Sequence, residues 1–391
     1  MVRMILPIGL LLCVFVPWFC AKGEMEETTV AIGAWRVAPD HFTVDSKGGS
    51  VYATVTSNGE INLSAAASWV QLHYDKTASS DNLVIHIDEN READGRTLAI
   101  HLGVGNGPGK QVLIKQAGKN EDTDGEEGTA IRVANYNIRV AVAADERSGN
   151  GWSLRKQPLT ALIGNYDLDI VGMQEASSEQ LDDIKALLPA YASVSYPYGG
   201  KDGKSDNATI LYKKGKFDVL AQGEFWYSET PEVKSIGWDA TDQRICTWAK
   251  MKYKPDGQMF YFFTSHFYYQ YATAKHRSGR VMVDQIAKIR KDNLPVISTG
   301  DLNSGPGTPQ VQTIQNMLED AYRVTETPPL GLYNTTFHGG IFTGTPVYRT
   351  DYIFVSDAIR VRAYSVSVES YGDGKYPSDH LPVICDLRFQ K

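Results

Sequence analysis

The sequence predicts two folded parts, a small all-β domain followed by a mixed α/β unit. Two observations predict them. Between residues 30 and 118, short apolar runs alternate at period two, are separated by Gly and Asn turns, and show no helical pattern. From Ile131 onward, strand-like apolar runs alternate with segments whose apolar residues recur at helical spacing. The 391 residues suit more than one domain, and 42% hydrophobic with 22% charged residues suits a folded chain. A net charge of −7 without a long Lys/Arg block excludes a protein that grips duplex nucleic acid by charge alone. Phosphate-ester chemistry stays open, because a metal ion can supply the positive charge there.

Residues 1–23 read as an export signal. Arg3 precedes an uncharged run from Met4 to Cys20, interrupted by Pro7 and Pro17 and short of the about 20 apolar residues of a membrane span. Ala21 and Gly23 are small residues where a signal peptidase reads, so cleavage is expected after Gly23, leaving no transmembrane span in the mature chain. The expected location is the periplasm, the outer-membrane surface or the medium. A lipid anchor on Cys20 is the rival reading, and Phe19 stands against it. Cleavage would remove Cys13 and Cys20; Cys246 and Cys385 are expected to be free buried thiols.

The β domain, placed at 28–118, rests on Val51–Val55, Ile61–Leu63, Leu83–Ile87, Leu98–Leu102 and Val112–Ile114, which together predict an immunoglobulin-like sandwich. Glu121, Asp122, Asp124, Glu126 and Glu127 then crowd a Gly-punctuated stretch that cannot bury a core, so 119–129 is read as a linker. In the α/β unit at 130–391, strands are expected at Ile131–Tyr136, Leu168–Met173, Phe260–Ser265, Pro295–Thr299, Tyr352–Val355 and Val383–Leu387. Leu159, Leu162 and Ile163 mark one helix face, and Leu181, Ile184, Leu187 and Leu188 a second. Residues around Val281–Ile289 mark a third.

Six of these segments run into polar residues that a strand end would expose: Asn137, Gln174-Glu175, His266, Asp301-Leu302-Asn303, Asp351 and Asp379-His380. Carboxylates and amides that converge at one sheet edge are hard oxygen donors suited to Mg2+ or Mn2+. Histidines among them add proton-transfer groups, and the set fits metal-assisted phosphate-ester hydrolysis. Each element alone has a bland reading: Asp-x-Asn occurs in turns, a lone histidine is often structural, and Glu175 ahead of Ala176-Ser177-Ser178-Glu179 could be a helix-capping acid.

Taken in order, Asn135–Arg139, Asp169–Glu175, Gly300–Ser304 and Ser378–Pro382 resemble the endonuclease/exonuclease/phosphatase superfamily over 131–391. The resemblance implies a four-layer α/β sandwich, two stacked mixed sheets flanked by helices. It implies that Glu175, with Asn137 and Asp379, holds the divalent metal. Asp301 would position or deprotonate the attacking water, and Asn303 would hydrogen-bond it or the phosphate. His380 would touch the phosphate with Asp351 orienting it, and His266 would be a second phosphate-facing group. Leu113–Gly118, Trp69-Val70 and Arg96–Ile100 are similar to the Bacteroidetes-associated, often N-terminal carbohydrate-binding (BACON) domain, which implies a glycan or mucin partner. A plain spacer is the alternative there, and Trp69 beside Val70 and Leu72 reads as core packing ahead of a sugar platform.

Some residues depart from the superfamily pattern or stay open. Arg139 stands where the repair-endonuclease branch carries an acid. Arg244 is either a phosphate clamp or a surface salt-bridge partner. Tyr268, Tyr269 and Tyr271 either stack a base or sugar or form a cleft wall. Lys201, Lys204, Lys213, Lys214, Lys216, Lys275, Arg277 and Arg280 could form a phosphate-facing rim or be solvated surface. The expected molecule is a monomeric, exported phosphoesterase whose substrate is nucleic acid, a phospholipid head group or a phosphosugar. The alternative is a surface adhesion protein with a degenerate catalytic domain. No Gly-x-Ser-x-Gly motif supports a serine hydrolase.

Overall fold

A computed structural model describes residues 36–390, apart from 39–40, 45, 57–59, 66, 77–80, 105–109, 120–127, 200–205, 271–272, 328, 332–334, 345 and 372–373. The expected signal segment and most of the expected acidic linker therefore lie outside the described residues.

The N-terminal part holds eight strands: β1 (Arg36–Ala38), β2 (His41–Val44), β3 (Gly49–Thr56), β4 (Ile61–Ser64), β5 (Val70–Lys76), β6 (Asp81–Ile87), β7 (Arg96–Val104) and β8 (Lys110–Gln116). They form two four-stranded sheets, ordered β1-β3-β6-β5 and β2-β8-β7-β4. Alternation does what period-two patterning demands. Along β8, Val112, Ile114 and Gln116 are buried while Gln111, Leu113 and Lys115 face outward. Val55, Leu83, Ile85, Ile100, Val112 and Ile114 share one core. Trp69 packs half-buried against that core, and the Arg96 guanidinium lies 4.0 Å from its ring centroid.

The α/β part begins with β9 (Ala130–Asn137), α1 (Ala143–Arg147), α2 (Trp152–Asn165), β10 (Ile170–Ser177) and α3 (Ser178–Leu187). Next come β11 (Tyr191–Pro197), β12 (Asp206–Lys213), β13 (Phe217–Trp226), β14 (Ile245–Tyr253) and β15 (Met259–His266). Then follow α4 (Thr273–Ile289), β16 (Val296–Asp301), α5 (Pro309–Gln315), β17 (Glu319–Asp320), α6 (Ala321–Val324) and β18 (Leu330–Gly331). The chain closes with β19 (Asp351–Val355), β20 (Ile359–Val366) and β21 (Val383–Phe389). One sheet is ordered β11-β12-β10-β9-β21-β20-β18, the other β13-β14-β15-β16-β19-β17.

Two parallel pairs organise these sheets. β9 pairs with β10 through the crossover helix α2, and β15 with β16 through α4. Parallel strands need such crossovers, and both members of a pair then end at the same sheet edge. Ile131, Val133, Ile170, Ile210, Phe260, Phe262, Ile297 and Ile353 pack as one cluster between the sheets. Leu159, Leu162, Ile163, Leu181 and Ile184 of α2 and α3 cover the outer face of the first sheet, and Met282, Ile286, Val311 and Ile314 of α4 and α5 that of the second. Each fully buried side chain of this kind contributes about 1.5–3 kcal/mol. Gly172 lets the sheets approach closely, since a Cβ there would lie 1.9 Å from Thr299 Oγ1.

The acid at Glu175 does not cap α3. Ser177 caps it through a reciprocal pair with Gln180, whose backbone N–H donates to Ser177 Oγ while Gln180 Oε1 accepts from the Ser177 N–H. Cys246 and Cys385 are buried free thiols, as expected, and burial pushes the Cys246 thiol up to about 12. Among the described residues no helix is long and apolar enough to cross a membrane.

Candidate active site

The two parallel pairs deliver their last residues to one place. Asn137 lies level with Gln174 in the first pair and His266 with Asp301 in the second; Asp351, opening β19, lies opposite Asp301. His380 and Asp379 arrive on the turn before β21.

Asp301 is the centre of the cluster. Its Oδ2 accepts from Asn137 Nδ2 at 3.0 Å and lies 3.5 Å from His266 Nε2 and 3.8 Å from His380 Nε2; its Oδ1 accepts from the Asn303 N–H at 2.9 Å. Asp351 holds His380 through Nδ1 at 2.8 Å and accepts from Thr336 Oγ1, Thr350 Oγ1 and Asn135 Nδ2. His266 is fixed from behind by the Tyr198 hydroxyl, 2.7 Å from Nδ1. Phe337 stacks on the His380 ring, with centroids 4.5 Å apart. Asp301, Asp351 and His380 bring one ligating atom each within 4.8 Å of one another, a buried carboxylate–imidazole–carboxylate relay.

Glu175 sits beside this relay in a bulged stretch of β10, with φ at +62°. Arg139 and Asn303, at the neighbouring strand exits, share that left-handed conformation at +57° and +47°. Non-glycine residues there store about 1–3 kcal/mol each, and such strain gathers at functional sites. The Glu175 carboxylate accepts from Asn137 Nδ2 at 3.3 Å and from the Val140 N–H at 3.2 Å, and no cationic nitrogen of the described residues lies within 4.0 Å of it. Asp379 lies 3.7 Å from Arg139, which is itself gripped by Asp145.

Charge separates the two carboxylates that share the Asn137 amide. Burial alone would raise Glu175, but His266, Arg139 and His380 outweigh it and bring the carboxyl down to about 2. Burial is the main cause lifting Asp301 to about 7; His380 opposes it and Asp351 adds to it. Burial would lower His380, yet Asp351 and Asp301 hold it up at about 10. Asp379 is raised by burial, against the pull of His380. The arrangement can therefore keep one carboxylate ionised, one near neutrality and one imidazole charged.

All eight residues assigned to catalysis or metal binding thus meet at one sheet edge. The rim differs from expectation. Arg244 makes no ion pair among the described residues; its guanidinium lies 5.9 and 5.8 Å from the rings of Tyr198 and Tyr269. Tyr269 is 49% exposed, but Tyr268 is 1% exposed with its hydroxyl bonded to Thr241 and Gln270, so its ring is a wall and has no free face. Tyr271, Lys201 and Lys204 lie outside the described residues. Lys213 and Lys216 bind Asp169 at the entry end of β10, away from the site. Lys275 is buried and points inward, donating to the carbonyls of Asn303 (2.7 Å) and Tyr269 (3.2 Å). Arg280 is an exposed partner of Asp284. Of the two open readings, these positions do not support a phosphate-facing rim: their partners are carboxylates and carbonyls of the protein.

Sequence reasoning missed a buried amide chain, Gln174 Nε2 to Asn135 Oδ1 and Thr264 Oγ1 and Asn135 Nδ2 to Asp351, which aligns the relay from beneath. It also missed Tyr198, Phe337 and Tyr348, the last 60% exposed beside Phe337. The doublet of amides at Asn135 and Asn137, two residues apart on one strand, was the available signal.

A sequence model of the endonuclease/exonuclease/phosphatase family matches residues 134–380. The structure of an endonuclease/exonuclease/phosphatase family protein from Bacteroides thetaiotaomicron is 33% identical, with a TM-score of 0.63, covering 68% of this chain and 100% of that one. A mannosyl-6-phosphatase from Bacteroides thetaiotaomicron VPI-5482 is 34% identical, with a TM-score of 0.62, covering 66% of this chain and 100% of that one. Among curated proteins, an uncharacterized protein of Acanthamoeba polyphaga mimivirus is 24% identical over 267 residues, 65% of this chain and 98% of its own length.

Proposed function

This chain belongs to the endonuclease/exonuclease/phosphatase family, and from that membership we propose that it is an exported, divalent-metal-dependent phosphoesterase acting on a phosphosugar. The observation that carries the reading is Asp301, a buried carboxylate poised near neutrality between two histidines and an amide that also touches an ionised Glu175. The sugar preference is supported by the mannosyl-6-phosphatase similarity and by exposed Tyr269 beside Arg244, which makes no ion pair among the described residues, an apolar ring face next to an anion-binding fork.

Glu175, with Asn137 and Asp379, would hold the Mg2+ or Mn2+ ion. The donor chemistry fits, because Glu175 is an ionised hard-oxygen donor whose hydrogen-bond partners are only an amide and a backbone N–H. When bound, the ion supplies a Lewis acid for the phosphate oxygens. Asp301 takes a proton from the attacking water as its oxygen bonds to phosphorus and the ester P–O bond breaks. His380, kept charged and aimed by Asp351, donates to a phosphate oxygen, and Asn303 orients the water or the phosphate. His266, held by Tyr198, stabilises the other side of the phosphate, and the leaving alkoxide takes up a proton from solvent water. Arg244 and Tyr269 seat the remainder of the substrate.

The first 23 residues serve as the export signal in this reading, and the N-terminal β domain is a BACON-type module that holds the enzyme to glycan or mucin or spaces it from the envelope. The test is turnover by chain 24–391 on mannose 6-phosphate, an inositol phosphate, sphingomyelin, DNA and RNA, with and without chelator. Chelator-sensitive release of phosphate from the sugar ester is expected. Normal turnover by His380→Ala would falsify the mechanism, and preference for a polymer would overturn the substrate.

A further inference from the structure

Behind the site lies a cation that the reaction above does not use. Arg155, in the first turn of α2, is 0% exposed. Its guanidinium donates only to backbone carbonyls: Nε to Asn150 (2.8 Å), Nη1 to Ile138 (2.8 Å) and Pro377 (2.8 Å), and Nη2 to Arg139 (3.0 Å). No carboxylate of the described residues lies within 4.0 Å of it, and the rings of Trp152 and Phe342 flank it at 5.4 and 5.2 Å. A buried charge without an ion pair is costly, so a role that a neutral residue could fill would not favour it.

The carbonyls it gathers explain the choice. β9 ends at Asn137, and Arg139 turns the backbone into the left-handed region, so the Ile138 and Arg139 carbonyls leave the sheet ladder. Pro377 precedes the turn that carries Asp379 and His380. Buried carbonyls that no strand satisfies need donors, and a planar fork with five N–H groups can serve two turns at once. Gln180 adds to the same clip, with Nε2 donating to Arg139 O and Oε1 accepting from the Ala141 N–H. Ser378 Oγ closes it by donating to Asn137 O at 2.7 Å.

We propose that Arg155 is a positioning residue that clamps the Asn137–Arg139 turn to the Pro377–His380 turn through backbone carbonyls, and so sets the spacing between the metal-side and phosphate-side groups. This rests on the phosphoesterase reading for its kinetic arm only. Displacing reacting groups by about 1 Å can cost about 100-fold in rate. Arg155→Met should therefore lower kcat by about 100-fold with KM little changed, and Arg155→Lys, which keeps the charge but loses the fork, by an intermediate factor.

Two readouts do not depend on turnover. Mn2+ affinity, measured by titration of the full chain, should weaken in both variants. Hydrogen exchange should quicken at the amides of Arg139 and His380, which donate within these two turns to Asn137 Oδ1 and Ser378 Oγ. Leu159→Ala, a core truncation in the same helix, controls for lost stability: it should lower the melting temperature while leaving kcat, Mn2+ affinity and those amides near wild type. Arg155→Lys carries the test if Arg155→Met does not fold. Wild-type kcat, exchange and Mn2+ affinity in Arg155→Lys would overturn the proposal, as would equal kinetic loss in Leu159→Ala. If wild-type protein hydrolyses none of the five substrates, the functional reading fails while exchange and Mn2+ binding still decide on Arg155.

Discussion

The two parallel crossovers, β9-α2-β10 and β15-α4-β16, are built alike and charged differently. Each ends in an amide or imidazole on its first strand and a carboxylate on its second: Asn137 with Glu175 in one, His266 with Asp301 in the other. Each also buries a cation in the first turn of its helix, and that cation grips the carbonyls of a strand-end turn, Arg155 in α2 and Lys275 in α4. Yet the carboxylates titrate in opposite directions. Glu175 is drawn to about 2 and Asp301 lifted to about 7, although both accept from the same Asn137 amide. Burial pushes both up; at Glu175 the two histidines and Arg139 outweigh it, while at Asp301 His380 opposes it and the neighbouring Asp351 adds to it. One half holds a carboxylate ionised and the other a carboxyl that titrates near neutrality, a separation that acid–base sites achieve by pushing paired pKa values apart.

Exchanging the roles is the strongest way to break this comparison. Asp301→Asn should reduce kcat by about 10³-fold, within the range for a lost general base, while Mn2+ binding by the full chain persists. Glu175→Gln should abolish Mn2+ binding at the same concentrations. If the two variants behave alike, the halves are not distinct. Next in size is the pH profile. Asp301 must lose its proton and His380 keep one, so kcat/KM should rise with pH up to about 7 and fall near 10. A profile flat from pH 5 to 9 would remove Asp301 as base.

Lys275→Met should lower kcat by about 10-fold, less than Arg155→Met, because the ammonium ties the Asn303 turn to the rim at Tyr269 and not to a second turn of the carboxylate–imidazole cluster. Equal losses would show that the halves are supported identically. The smallest effect belongs to the rim: Tyr269→Ala should raise KM for the sugar phosphate several-fold and leave kcat near wild type, as expected for a contact made equally in ground and transition state.

Much of this was legible before any coordinates. Polar residues next to apolar strands mark strand ends, so Asn137, Glu175, His266 and Asp301 after their strands, and Asp351 and His380 ahead of theirs, announced a common edge, and the two stacked sheets bring them together. The strands β9, β10, β15, β16, β19 and β21 fall within a few residues of where periodicity placed them, and α2, α3 and α4 carry the marked faces to within a residue, α4 beginning eight residues ahead of its marked stretch. What stayed hidden is polar chemistry inside elements. Gln174 was marked as a polar residue at a strand end and Asn135 as part of the Asn135–Arg139 motif, but the bonds that join them to Thr264 and to Asp351 arise only from the stacking of two sheets. Arg155 carries no signal in the sequence and Lys275 stands open between a phosphate-facing rim and solvated surface, because nothing local tells a charge that its neighbours will be backbone carbonyls. Tyr268 and Tyr269 are adjacent in sequence, yet one is walled in and the other open, since consecutive residues past a strand end turn to opposite sides.

The left-handed backbones at Arg139, Glu175 and Asn303 carry a consequence for how this chain would respond to selection. Glycine adopts that conformation without strain, so glycine at these positions would relieve a local penalty. A library sorted for heat resistance alone should drift toward glycine at 139 and 175 and lose the chemistry as it does so. Sequences that keep arginine and glutamate there under thermal selection would have to be keeping them for turnover, which makes those two codons a record of whether the enzyme is in use.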